Sequence, residues 1–160
     1  MTKAQLNREY ALRHLFTTVL MAAFCLWFGY DGLVRYPATP GAELYREIEK
    51  SDPPEGFDVE SFKRQKSETQ IGLSLASLAA FLIVGLRLLN AARFKFAFDE
   101  TTFAVNGQTW TKDDIASIDR SRWAKKSILT LHLKNGRRVT LDAWHHTAVK
   151  EFEQSPLASA

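Results

Sequence analysis

The chain has 160 residues, of which 46% are hydrophobic and 24% charged, with 21 Lys and Arg against 18 Asp and Glu. A net charge of +3 is too small a basic excess for a dedicated nucleic-acid binder, and a single cysteine excludes an internal disulfide framework or a cysteine-based metal cluster. Eight glycines and five prolines exclude a low-complexity or collagenous chain.

The apolar residues gather in two runs. Leu15 to Tyr30 reads LFTTVLMAAFCLWFGY, with no charge. At 1.5 Å per residue it spans roughly 24 Å, a little short of a ~30 Å hydrocarbon core, and Tyr10–Leu12 and Gly32–Val34 supply the remainder. Arg13 and His14 can snorkel at one end, and Tyr10, Trp27, Tyr30 and Tyr36 stand where interfacial aromatics belong. Pro37 is expected to stop the helix, and Asp31 to lie at the interface rather than in a buried site. Lys3, Arg8 and Arg13 before an apolar stretch also suit a signal peptide, but no Ala-x-Ala-like site follows and Phe24 precedes Cys25, which argues against a lipoprotein signal. A buried helix of a soluble protein is the remaining alternative to a membrane helix. Cys25 itself reads as packing.

Ile71 to Leu86, IGLSLASLAAFLIVGL, is again uncharged and is apolar on every face, as a membrane helix requires. Gly72, Ala76 and Ala80 recur every four residues, a small-residue stripe that admits a close helix, and Thr18 and Ala22 offer a matching pair in the first run. A contact with a second copy would use the same stripe.

The connector, residues 35–70, is polar. A helix is expected over Ala42–Lys50, a break at Ser51–Gly56, and a second helix capped by Asp58 that runs through Val59, Phe62 and Lys66 into the second span. Eight carboxylates face five basic residues between Glu43 and Glu68, which suits a solvated connector or an acidic docking loop. Orientation is undecided by charge. Lys3, Arg8, Arg13, Arg87, Arg93 and Lys95 on one side balance Arg35, Arg46, Lys50, Lys63, Arg64 and Lys66 on the other.

After Asn90 the period changes to two. Phe94, Phe96 and Phe98 alternate with Lys95 and Ala97, then Phe103 and Val105 lead to Asn106-Gly107, a type I′ hairpin signal. Gln108–Thr111 returns, and Lys112-Asp113-Asp114 turns toward Ile115 and Ile118. Leu129, Leu131 and Leu133 share a face, Asn135-Gly136 gives a second hairpin, Val139, Leu141 and Ala143 form the next row, and a helix covers Ala148–Gln154. About six short strands and a helix suit a small barrel or curved sheet.

No phosphate loop, zinc-protease motif or nucleophile elbow is present. His145 and His146, read as adjacent strand residues, point to opposite faces and chelate poorly, with His132 the only other close histidine. Asp113-Asp114 reads as a turn. Trp110, Trp123 and Trp144 read as core or interface anchors. Arg120-Ser121-Arg122-Trp123-Ala124-Lys125-Lys126 holds four cations, one aromatic and no acid, expected at a strand end and hairpin, and Lys112, Arg137 and Arg138 extend it. Each such cation is worth about 1 kcal/mol near anionic lipid.

The order FAFDETTFAVNGQTWTKDDIASID, then Trp123, then LTLHLKNGRRVTLDAW, then a helix, resembles the bacterial pleckstrin-homology-like (PH-like) domain over roughly residues 90–155. The resemblance implies a cytoplasmic, non-enzymatic interaction module that many members hang on one or two membrane helices, and it carries no catalytic residue. Six strands are legible against the seven it implies.

The expectation is therefore an α+β membrane protein: a tail and first transmembrane helix (1–34), a polar helical connector (35–70), a second transmembrane helix (71–89), a PH-like antiparallel β domain with a C-terminal helix (90–155), and a tail (156–160). Both termini are expected at the cytoplasmic face of the inner membrane. Expected partners are membrane lipid and a protein or membrane complex, with a homo-oligomer as a further option. No cofactor, metal or nucleic acid is expected. The rival to a lipid- or partner-binding scaffold is an accessory subunit that packs mainly through its helices.

Overall fold

A computed structural model describes residues 1–158. In chain order its elements are β1 (Thr2–Lys3), α1 (Arg8–Tyr30), a π-helical segment (Asp31–Arg35), α2 (Tyr36–Ala38), α3 (Gly41–Glu49), α4 (Val59–Arg93), β2 (Phe96–Phe98), β3 (Thr102–Val105) and β4 (Gln108–Thr111). A 3₁₀ turn (Lys112–Asp114), β5 (Ile115–Asp119), α5 (Trp123–Lys126), β6 (Ile128–Leu133), β7 (Arg138–Asp142) and α6 (Val149–Glu153) complete it. The fold class is α+β, with two long apolar helices and then antiparallel sheets. The chain divides into two compact units, residues 15–86 and residues 1–14 with 87–160.

The first unit is an antiparallel helical hairpin. Helical structure from Arg8 to Ala38 and α4 are both long and apolar enough to cross a membrane, and almost none of their most apolar windows is buried. Pro37 does not stop the first helix at once. The ring, lacking an N–H, is accommodated at the start of α2, just after the π segment. The start of α4 is as the sequence indicates, because the Asp58 carboxylate accepts the Ser61 backbone N–H at 3.0 Å.

The face between the helices differs from the expected stripe. Ser74 Oγ donates to the Cys25 carbonyl at 2.8 Å. A Cβ built on Gly32 would stand 2.9 Å from Ile71 and 3.0 Å from the Ser67 carbonyl, and one on Gly85 would meet the Thr18 methyl at 3.6 Å. A Cβ on Gly72 would meet nothing within 4 Å, and Gly72 and Ala76 are exposed while Ala80 is half-buried. The contact line runs through Ser67, Ile71, Ser74 and Gly85, so Gly72 and Ala76 do not pack the hairpin. Thr18 stays at the contact, and Ala22 is half-buried. An α4 apolar all round carries no period from which the facing side can be read.

The connector is packed. Leu44 of α3 is fully buried, and Tyr45, Phe57 and Phe62 form a ring cluster with centroids 4.9–6.0 Å apart. Gly41 lets α3 approach Val59, whose carbonyl oxygen would lie 2.9 Å from an added Cβ. Several connector carboxylates are partnered: Glu47 with Arg35, Glu49 with Lys66 at 3.6 Å and Asp52 with Arg46 at 2.7 Å. Asp31 departs from its expected interfacial place. It is 5% exposed and accepts from Trp27 Nε1 at 3.0 Å and from Arg35 at 3.3 Å.

The second unit holds two antiparallel sheets, β1-β2-β3-β4 and β5-β6-β7. Phe96, Phe98 and Phe103 from one sheet, Leu129, Leu131 and Leu141 from the other, and Val149 and Phe152 of α6 share one core. Phe152 meets Phe96 and Phe98 edge-on at 5.2 and 5.3 Å. The N-terminal tail belongs to this unit. Thr2 pairs with Phe98 and Lys3 with Ala97, Ala4 N–H donates to the Phe96 carbonyl at 2.9 Å and Asn7 N–H to that of His145 at 2.7 Å.

The two Asn-Gly pairs turn differently. Asn106 and Gly107 both have positive φ, 50° and 85°, which is the type I′ requirement. At the second, only Gly136 does, at 82°. Asn135 instead accepts the Arg137 N–H through its side chain at 3.0 Å, and Leu133 N–H donates to the Arg137 carbonyl, giving a longer loop.

Candidate functional site

The basic segment lies between β5 and β6, where a sharp turn at Arg120–Arg122 leads into the single helical turn α5. Ser127 ends that turn with a left-handed φ of 53°. Its N–H donates to the Trp123 carbonyl at 2.8 Å. At the entry, Asp119 accepts the Ser121 backbone N–H at 2.8 Å. The Ser121 hydroxyl and backbone bonds hold the Asp119 carboxyl below the ordinary carboxylate range, so the turn is locked with its acid ionised.

These supports sort the cations. Arg122, Lys125 and Lys126 are exposed. Trp123 is half-buried and packs on the β core, so the three cations are carried on a bracket that is itself anchored. Arg120 is occupied within the unit, with the Ala158 carbonyl and with Glu153 at 3.6 Å. Lys112 stands at the far end of β5, five residues or roughly 16 Å away along the strand. Arg137 belongs to that far end too, because Leu133, beside its loop, pairs with Ile115. Its guanidinium lies 5.3 Å from the Trp110 ring centroid and bonds Gln108. The expected single patch is therefore two basic ends, because a strand separates what sequence proximity joins.

Of the other candidates, Trp110 is buried and stacks on Phe103 at 5.6 Å, whereas Trp144 is 57% exposed. Asp114 caps the 3₁₀ turn by accepting the Thr111 N–H and hydroxyl at 2.8 and 3.0 Å. Among the described residues no three His, Cys, Asp or Glu side chains come together as metal ligands.

No family model, curated protein or solved structure matches the chain.

A second site escaped the sequence reading. His145 lies in a turn after β7, and His146 forms an isolated antiparallel bridge with Leu6, outside the named strands. His146 is 3% exposed and its Nε2–H donates to the Ala91 carbonyl at 3.1 Å. Burial, more than any neighbour, holds its imidazole below the ordinary value. Its Nδ1 is buried and has no hydrogen-bond partner among the described residues. His146 lines a cavity of about 400 Å³ within this unit, together with Tyr10, Arg87, Phe94, Asp142 and His145. Tyr10 is 8% exposed and its ring lies 4.3 Å from that of His145. Only folding brings position 10, the end of α4 and the turn after β7 together, and the one sequence signal was the His-His pair.

Proposed function

We propose that the protein is a membrane-anchored, non-catalytic interaction module whose basic turn, Arg122, Lys125 and Lys126 around Trp123, meets acidic lipid head groups beside the bilayer, with both termini on the cytoplasmic side. The observation that carries this is the sorting of the cations. Three are exposed with no acid among residues 120–126, while the tryptophan between them is tied to the core. Sheets of four and three strands, with α6 filling the core between them, support reading the second unit as a PH-like module. Side chains such as Leu26 and Phe16, 75% and 69% exposed, suit contact with lipid tails.

The test compares hydrogen exchange across residues 120–127 of the full chain in nanodiscs of neutral lipid and of neutral lipid with added anionic lipid. Protection should appear only with anionic lipid, weaken as salt rises because ions screen it over ~8–10 Å, and vanish when Arg122, Lys125 and Lys126 are all changed to Glu. Equal exchange in both nanodiscs removes the lipid reading.

The exposed apolar helix faces also favour an accessory subunit that packs through its helices. Purification in mild detergent separates this reading, because a stoichiometric membrane complex that survives the triple Glu change belongs to the subunit and not to the turn.

A further inference from the structure

The cavity lined by Tyr10, His14, Arg87, Phe94, Asp142 and His145 offers one permanent cation, one carboxylate and aromatic walls, with Asn90 and Thr140 beside them. Asp142 and Arg87 both lie within electrostatic reach of the Tyr10 hydroxyl, so the opposite charges serve one space. Asp142 is already fixed: its carboxylate accepts the Trp144 N–H at 2.8 Å and stands 3.7 Å from His145 Nε2.

We infer that this cavity binds a phosphorylated primary amine, with the phosphate on Arg87 and the ammonium between the Asp142 carboxylate and the faces of Tyr10 and Phe94. A bare phosphate would meet the Asp142 carboxylate as a like charge. A bare amine would leave Arg87 unanswered. A quaternary ammonium has no N–H to donate to Asp142. A volume of about 400 Å³ is within the usual range for small-molecule sites. The walls come from residues directly outside the two apolar runs: Tyr10 shortly before Leu15, and Arg87 next to Leu86. That position suits a lipid head group, although a free phosphoamine carries the same chemistry. Only the lipid source rests on the membrane-anchored reading.

The experiment titrates the full chain, purified in detergent, with O-phosphoethanolamine, phosphocholine and inorganic phosphate by calorimetry. A second arm uses native mass spectrometry after exchange with phosphatidylethanolamine or phosphatidylcholine. O-Phosphoethanolamine should bind at least about tenfold more tightly than the other two solutes, since charge-assisted hydrogen bonds are at stake at both ends. Arg87→Gln and Asp142→Asn should each weaken it about tenfold with the melting temperature retained. Asn keeps the acceptor for Trp144 and removes only the charge. Should Arg87→Gln fail to fold, Arg87→Lys takes its place with a smaller loss. Binding in the solute arm alone identifies a soluble ligand, and retention of phosphatidylethanolamine over phosphatidylcholine identifies a lipid. Both results support the assignment. No binding in either arm, equal binding of phosphocholine or inorganic phosphate, or full affinity in Asp142→Asn overturns it. The solute arm needs no membrane, so its failure is separable from a failure of anchoring.

Discussion

Ser74 Oγ donates to the backbone carbonyl oxygen of Cys25 at 2.8 Å, across 49 residues of sequence. A mid-helix carbonyl already accepts from its own helix, so a second donor from a neighbour demands close approach of the two helices. Gly29 permits it, since a Cβ there would stand 3.1 Å from that same hydroxyl oxygen.

The hairpin should respond oppositely at two glycines. Gly32→Ala places a methyl 2.9 Å from the Ile71 backbone nitrogen and should cost about 1–3 kcal/mol, as overpacking does. Gly72→Ala points into open space and should gain up to about 1 kcal/mol from helix propensity alone. Thermal unfolding in one detergent checks both. A larger loss at Gly72 would return the contact to the Gly72–Ala76–Ala80 stripe.

The small residues of α4 show what spacing can and cannot tell. Gly72, Ala76 and Ala80 satisfy a spacing rule, but spacing says only that a close face exists, not which partner meets it. Asp58 and Asn106-Gly107 were legible because their bonds are local: a cap three residues on, and two adjacent positive φ angles. β1 was not, since two residues carry no period and their partners lie at Ala97 and Phe98. The cavity was hidden for the same reason. The basic turn was legible as composition, but its division from Lys112 and Arg137 depends on strand register.

Within the basic segment the cations should separate by role. Arg120→Ala should lower stability by about 1 kcal/mol, because it removes contacts to Glu153 and the Ala158 carbonyl. Lys125→Ala and Lys126→Ala should each change stability by less than about 0.5 kcal/mol and weaken any anionic contact. Denaturant melts alongside the exchange experiment distinguish the two classes.

Acid should destabilise the β unit in two steps. Burial, first, and the neighbouring His145 hold His146 below its ordinary value of 6.5, while the bond to Ala91 and the Asp142 carboxylate oppose this. The unfolded chain therefore takes up a proton that the folded chain refuses, so stability is full above 6.5 and falls as pH drops through it. Asp99, Asp114 and Asp119 are held below their ordinary 3.8 by hydrogen bonds from Thr101 and Thr102, from Thr111 and from Ser121. Their contribution is present above 3.8 and is lost as pH falls below it. Melting temperature against pH should show both declines, and His146→Gln should remove the first. An unchanged first decline in that variant assigns it elsewhere.

Membrane anchoring has its own check. With two helices long and apolar enough to cross a bilayer, the protein should stay in the pellet after alkaline carbonate extraction. A C-terminal fluorescent protein should be bright and alkaline phosphatase silent. Release into the supernatant, or the opposite reporter pair, refutes the anchoring or the orientation respectively.

The N-terminal strand makes the β unit sensitive at a distance. A fragment from Asn90 onward lacks β1 and the backbone bonds of Ala4, Asn7 and Gln5 to Phe96, His145 and Thr147. It should melt at least several degrees lower than a permuted version that joins residues 1–7 after residue 158, since each lost bond is worth about 0.5–1.5 kcal/mol and 1 kcal/mol shifts a small domain by about 4–8 °C.

That strand also sets an order of events during synthesis. Residues 2–3 leave the ribosome well before the strand they join, β2, which begins at Phe96, after both long helices. The two-residue strand must wait, unpaired, while the whole hairpin is made, and only then can it join the sheet. The helical hairpin is thus an insertion inside another folding unit, and completion of that unit reports that the hairpin's two flanks have come together.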